Sequence, residues 1–133
     1  MKIKRYILFS FIMMHVLMCF SQNPVLDSLK KVVSGDGVDT LKVNTCNALF
    51  LQLEFVDPEQ AESYLKKALE ISKRIGYKKG LAETYTHMGY FEEDMGRYNG
   101  AIINYRNALN FGIMINDKKS MAGSYNNIGN VFY

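Results

Sequence analysis

The chain repeats itself at an offset of forty residues, and no other feature limits its fold so strongly. Ala61, Ala68, Leu69, Ile75, Lys78, Lys79, Ala82, Tyr85 and Gly89 recur as Ala101, Ala108, Leu109, Ile115, Lys118, Lys119, Ala122, Tyr125 and Gly129. The pairs Lys66/Arg106, Leu81/Met121 and Met88/Ile128 keep the same register. Self-similarity at one fixed period marks a solenoid, in which each unit is too small to bury its own apolar face and covers it with the next.

Each unit reads as two helices. Tyr85, Met88, Gly89 and Glu92 stand at i, i+3, i+4 and i+7, and Ala101, Tyr105, Ala108 and Leu109 repeat the pattern after Gly96-Arg97-Tyr98. Such spacing places residues on one helical face, and a glycine just past a helix end takes the left-handed cap. In the preceding unit the break is Asp57-Pro58-Glu59-Gln60: Asp57 caps, Pro58 fits the first helical position, and Gln60 completes a capping-box spacing. Gly76-Tyr77-Lys78-Lys79-Gly80 and Asn116-Asp117-Lys118-Lys119 read as the turns between units. The chain has two prolines in all, Pro24 and Pro58, both suited to helix starts. These signals predict an all-α fold with repeat one over about 40–79, repeat two over about 80–119 and the start of a third over 120–133. Upstream, Val25, Leu26, Leu29, Val32 and Val33 predict a short leading helix within 23–39, with Ser34-Gly35-Asp36-Gly37 as its exit.

Met88-Gly89, Gly96, Tyr98, Ala101, Tyr105 and Ala108 together resemble the signature of the tetratricopeptide repeat (TPR) family: Leu-Gly, then Gly-x-Tyr, then Ala, an aromatic and Ala. Ala61, Ala68 and Gly129 take the matching places in the flanking units, and the period resembles that of the longer TPR subtype. The pattern has a geometric reason, since helices that cross closely need small residues at the contact. The resemblance implies an α-solenoid of antiparallel helix pairs whose first helices line a concave groove for a protein or peptide. Carried onto this chain, the groove positions are Asn44, Asn47 and Leu51, then Glu83, Thr86, Tyr90 and Glu93, then Asn126 and Asn130. Asparagine both donates to and accepts from a peptide backbone, and tyrosine adds apolar area with a polar tip. The chain departs from the family at Glu92, where an aromatic is usual, and at Ile113, where proline is common. In the first unit Cys46, Leu49, Phe50 and Leu53 make the better apolar stripe. That register implies a shorter first turn, and packing loosened by Phe50 in place of a small residue. Tyr125, Ile128, Gly129 and Phe132 form the stripe of a third unit with no second helix after it, so a fragment, or a chain that self-associates through this face, is expected.

The first 22 residues follow another grammar. Lys2, Lys4 and Arg5 precede an apolar run from Tyr6 to Phe20, and Ser21-Gln22-Asn23-Pro24 closes it. This is the order of a secretory signal peptide, and the run is shorter than the ~20 residues of a membrane-spanning helix. Cleavage before Asn23 is expected. Leu17-Met18-Cys19 also resembles a lipoprotein box, though Met18 stands where a small residue is usual. Three of the 16 basic side chains lie in this leader, and the 13 that remain balance the 13 acidic ones. The net charge of +3 therefore belongs to the leader, which removes the electrostatic case for nucleic-acid binding. After cleavage Cys46 is the one cysteine left, expected to pack as a small hydrophobe.

No catalytic pattern is present: neither a phosphate-binding P-loop, nor HExxH, CxxC or GxSxG. Ser28-Leu29-Lys30-Lys31 matches SxxK by spacing alone. Asp36 and Asp39 flank glycines without the other acids of a calcium loop. His87 has no second ligand at metal spacing. No enzyme, metal or cofactor is expected. The leader, the leading helix and the entry Asp39-Thr40-Leu41-Lys42 resemble the N-terminal sensory region of exported bacterial TPR signalling proteins. This implies a periplasmic or envelope location and binding without catalysis, any kinase or DNA-binding output lying beyond Tyr133. An envelope scaffold or lipoprotein that works by binding alone is the alternative.

Overall fold

The computed structural model describes residues 23–132, and every regular element among them is an α-helix. They are α1 (Pro24–Ser34), α2 (Asp39–Leu53), α3 (Pro58–Ile75), α4 (Lys78–Asp94), α5 (Tyr98–Met114) and α6 (Lys118–Asn130). The expected signal peptide with its expected cleavage site, and Cys19, lie outside the described residues, as does Tyr133. No described helix is long and apolar enough to cross a membrane.

Helices start at Pro58, Lys78, Tyr98 and Lys118, so the forty-residue period is built from two equal halves. The three turns between them share one hydrogen-bond scheme. The N–H of Tyr77 donates to Ser72 O at 2.9 Å, that of Arg97 to Glu92 O at 2.8 Å, and that of Asp117 to Gly112 O at 2.9 Å. Just before each donor sits a residue of positive φ: Gly76 (68°), Gly96 (71°) and Asn116 (53°). Only glycine, and with less ease asparagine, takes this conformation without steric cost, which is why these residues end the helices. Starts are capped from the side chains at Asn23, Asp57 and Asp117; Asp57 Oδ1 accepts from Gln60 N at 3.0 Å, with Pro58 as the first helical residue.

The first turn differs. It spans residues 54–57 and has no positive-φ residue, whereas the second covers 95–97. The expected shorter turn is thus a longer one, because α2 ends at Leu53 itself while α4 runs two residues past Glu92. Phe55 and Val56 are left exposed at its tip.

Each helix packs on its sequence neighbours, and α4 also touches both α2 and α6, which makes these three the inner layer of a repeat-like array. Because α1, α3 and α4 surround α2, that helix buries Val43, Thr45, Cys46, Asn47, Leu49, Phe50 and Leu53. Val33, Val43, Cys46, Leu49, Ala68 and Ile71 make one cluster, against which Leu26 and Leu29 of α1 pack. Phe50, Leu53, Ala61, Leu65 and Phe91 make another. Burial pushes the Cys46 thiol up to about 11, as for a small apolar group, with Lys67 opposing weakly.

In the second unit Ala101, Tyr105 and Ala108 are fully buried, and Gly89 lies directly over the Tyr105 ring. The first unit reverses this arrangement. Phe50 supplies the aromatic from the inner helix, Leu65 takes the place of Tyr105, and the crossing is filled rather than loosened. Met88 is half-buried against the Phe50 cluster, whereas Tyr98, at the start of α5, is exposed. The stripe expected at the end of the chain is left uncovered, Tyr125 and Phe132 being 59% and 70% exposed, and the residue that α6 buries is Ser124. Helix α6 rests on α5 and α4 alone, so side chains turned away from both stay in solvent.

Candidate peptide-binding groove

Between the inner helices α4 and α6 lies an open groove of about 370 Å³. Lys79, Ala82, Glu83, Thr86, His87 and Tyr90 form one wall, at the i, i+3, i+4 spacing of a single helical face. Asp117, Lys119, Ser120, Gly123, Ser124 and Asn127 form the other. The volume falls at the lower end of the range typical of ligand sites. Small residues on α6 let a ligand main chain come close: a Cβ built on Gly123 meets nothing within 4 Å.

Of the groove residues expected from sequence, Glu83, Thr86 and Tyr90 line this cavity and the others do not. Asn44 and Leu51 are exposed on α2, and Asn126 and Asn130 on α6, all away from it. Asn47 is buried; its Oδ1 accepts from Thr84 Oγ1 at 3.1 Å, so it ties α2 to α4 instead of facing a ligand. Glu93 is likewise committed, accepting the Tyr105 hydroxyl at 2.7 Å. Burial, with this bond second, raises the Tyr105 pKa. On α6 the groove takes Asn127 rather than Asn126, one residue and about 100° around the helix from the expected face.

Sequence reasoning weighs His87 only as a metal ligand and passes over Ser124 and Asn127. Asn127 Nδ2 donates to the Tyr90 hydroxyl at 3.2 Å, a hydrogen bond across the groove. The His87 ring centroid lies 5.4 Å from that of Phe50 and 6.2 Å from that of Tyr90. Burial among these rings lowers its pKa to about 4, so the imidazole is neutral at pH 7. His87 Nδ1 and Ser124 Oγ are both buried without a hydrogen-bond partner among the described residues. The forty-residue register held a signal for Ser124, which stands where the preceding unit has Thr84.

A second notch of about 470 Å³, bounded by Pro58, Glu62, Phe91 and Met95, is already occupied electrostatically. Its Arg97 donates to Glu92 at 2.6 and 3.1 Å and lies 5.7 Å from the Phe91 ring centroid. Asp39, weighed from sequence as a calcium ligand, opens α2 and pairs with Arg74 at 3.2 Å. Among the described residues no group of three or more side chains is arranged to hold a metal ion. Compared with protein-family models, curated proteins and solved structures, the chain matches none.

Proposed function

We propose that this chain is a TPR-type helical array that binds an extended peptide segment in the α4–α6 groove, without catalysis, outside the cytoplasm. The observation that carries the reading is the groove itself, an open cleft between equivalent helices of successive units, lined by small and hydrogen-bonding side chains with Tyr90 at its edge. The repeated helix starts, the left-handed turns and the Gly89–Tyr105 crossing support the family assignment, and the basic, apolar, polar order of residues 1–24 supports export. By its resemblance to sensory regions, the bound segment is a signal passed to an output encoded downstream. The competing envelope-scaffold reading is separated by the coding sequence after Tyr133: kinase or DNA-binding motifs favour the sensor, a capping helix and stop the scaffold.

Selection of peptides from a displayed random library tests the groove. Gly123→Arg fills the cleft from an exposed position whose Cβ meets no neighbour, so the fold is unaffected. Selected peptides are expected to bind the variant at least tenfold more weakly at an unchanged melting temperature. Equal affinity for both proteins refutes the proposal.

A further inference from the structure

Two successive inner-helix crossings differ in one respect that bears on what the groove holds. Where α2 meets α4, the buried Thr84 hydroxyl is satisfied inside the chain by Asn47, at 3.1 Å. Forty residues on, where α4 meets α6, Ser124 is 2% exposed and its hydroxyl has no partner among the described residues. It lines the groove together with His87, whose Nδ1 is also buried and unpartnered. Asn47 Nδ2, Gln60 Oε1 and Ser72 Oγ are also buried without a partner among the described residues, but of these five only His87 and Ser124 line the groove. Since buried polar atoms are nearly always paired, these two mark a place where a partner comes from outside the chain.

We infer that His87 and Ser124 form a neutral seat for an amide group of the bound segment, one atom of the seat donating to its carbonyl and the other accepting from its N–H. This rests on the groove reading above and names its anchoring contact. A hydroxyl both donates and accepts, and a neutral imidazole has one nitrogen of each kind, so the pair matches an amide whichever tautomer His87 adopts. Desolvation among Phe50 and Tyr90 keeps the imidazole uncharged at pH 7. Lys79 and Lys119 line the cleft together with Glu83 and Asp117, a formal sum of zero, so the lining carries no net positive charge to offset the desolvation of a carboxylate. The seat therefore selects a neutral polar group over an anion.

The amide comes either from a main chain or from a glutamine side chain, and blocked tripeptides separate the two. N-acetylated, C-methylamidated Ala-Gln-Ala, Ala-Ala-Ala and Ala-Glu-Ala are titrated into the labelled protein while the His87 ring nitrogens and the Ser124 amide are followed by NMR. A saturable shift with the glutamine peptide alone identifies the side-chain amide; equal shifts with glutamine and alanine peptides identify the main chain. Ser124→Ala removes only an unpartnered hydroxyl, and His87→Phe keeps a ring between Phe50 and Tyr90. Each is expected to weaken the responding peptide about tenfold, the scale of one lost buried hydrogen bond. Tightest binding by the glutamate peptide, no shift at His87 and Ser124 with any peptide, or shifts that survive unchanged in Ser124→Ala overturn the seat. If library peptides lose affinity with Gly123→Arg but not with Ser124→Ala or His87→Phe, the groove stands and the seat fails. If Gly123→Arg is also silent, the groove reading fails with it.

Discussion

Gly89 and Gly129 are related by the forty-residue period, yet replacing each by alanine is expected to move stability in opposite directions. In a helix interior alanine is favoured over glycine by up to ~1 kcal/mol, because it loses less backbone entropy on folding. At Gly129, in the last turn of α6, a built Cβ meets nothing within 4 Å, so part of that gain operates unopposed. At Gly89 the same atom falls 2.2 Å from Tyr105 Cε1 and 2.4 Å from Cδ1, more than an ångström inside a normal carbon contact of ~3.5 Å. Tyr105 has no free space to retreat into: it is 0% exposed, and its hydroxyl donates to Glu93 at 2.7 Å. Overpacking of this kind costs ~1–3 kcal/mol, occasionally more, and outweighs the propensity gain. For a domain of this size Gly89→Ala should lower the melting temperature by roughly 5–10 °C, and Gly129→Ala should raise it by up to a few degrees. Leucine in place of Tyr105 copies Leu65 of the first unit and vacates the contested space. In a double-mutant cycle Gly89→Ala should then cost at least ~1 kcal/mol less on the Tyr105→Leu background. If Gly89→Ala melts at or above the parent temperature, or the cycle shows no coupling, the close α4–α5 crossing is wrong.

Three further outcomes follow from the same geometry. His87 has a folded pKa near 4 against 6.5 when free, so the unfolded chain takes up its proton first as pH falls. Its contribution is full above about pH 6.5 and declines towards pH 4 at up to ~1.4 kcal/mol per pH unit. His87→Phe should flatten that part of the stability curve measured by urea unfolding; Glu54, raised by burial and then by Asp94, acts in the opposite sense and is common to both proteins. An unchanged slope would place His87 in solvent. Cys46 should resist a thiol reagent at pH 8 until the fold opens, so that its labelling rate rises with urea in step with unfolding; fast labelling of the native protein would contradict its burial. Glu92→Leu should change stability by no more than ~1 kcal/mol, because it removes a partly exposed ion pair with Arg97; a larger loss in a thermal melt would mean that the turn depends on that pair.

The fold was legible where one residue type has one physical use. Proline after aspartate, as at Asp57-Pro58, can do little but open a helix, and Gly76 and Gly96 stand where only a left-handed turn needs them. Asn116 does the same work more quietly, because asparagine also serves many ordinary positions. The turn after α2 was misjudged for a related reason. It has no residue of positive φ, and its length is set by where Leu53 stops packing against Ala61 and Leu65 rather than by a local signal.

The groove was less legible, because its composition depends on helix phase. One residue of rotation exchanges Asn126 for Asn127, and the phase of α6 is the one that buries Ser124 where the helix packs on α5 and α4. Asn47 shows the opposite failure. A polar residue beside an apolar stripe reads as exposed until a third helix covers it, and the hydroxyl that satisfies its Oδ1, on Thr84, lies 37 residues away. Polar residues at the inner crossings thus have two fates that local sequence does not distinguish: bonding to another helix, as for Thr84 and the Asn47 Oδ1, or lining the cleft, as for Ser124 and His87. The repeat distinguishes them once the structure is known. The same register positions carry Thr84 and Asn47 in the first crossing and Ser124 and His87 in the second; the first two bond to each other, whereas the second two do not and line a groove. A difference between equivalent crossings, more than any single residue, is what locates the site in this array.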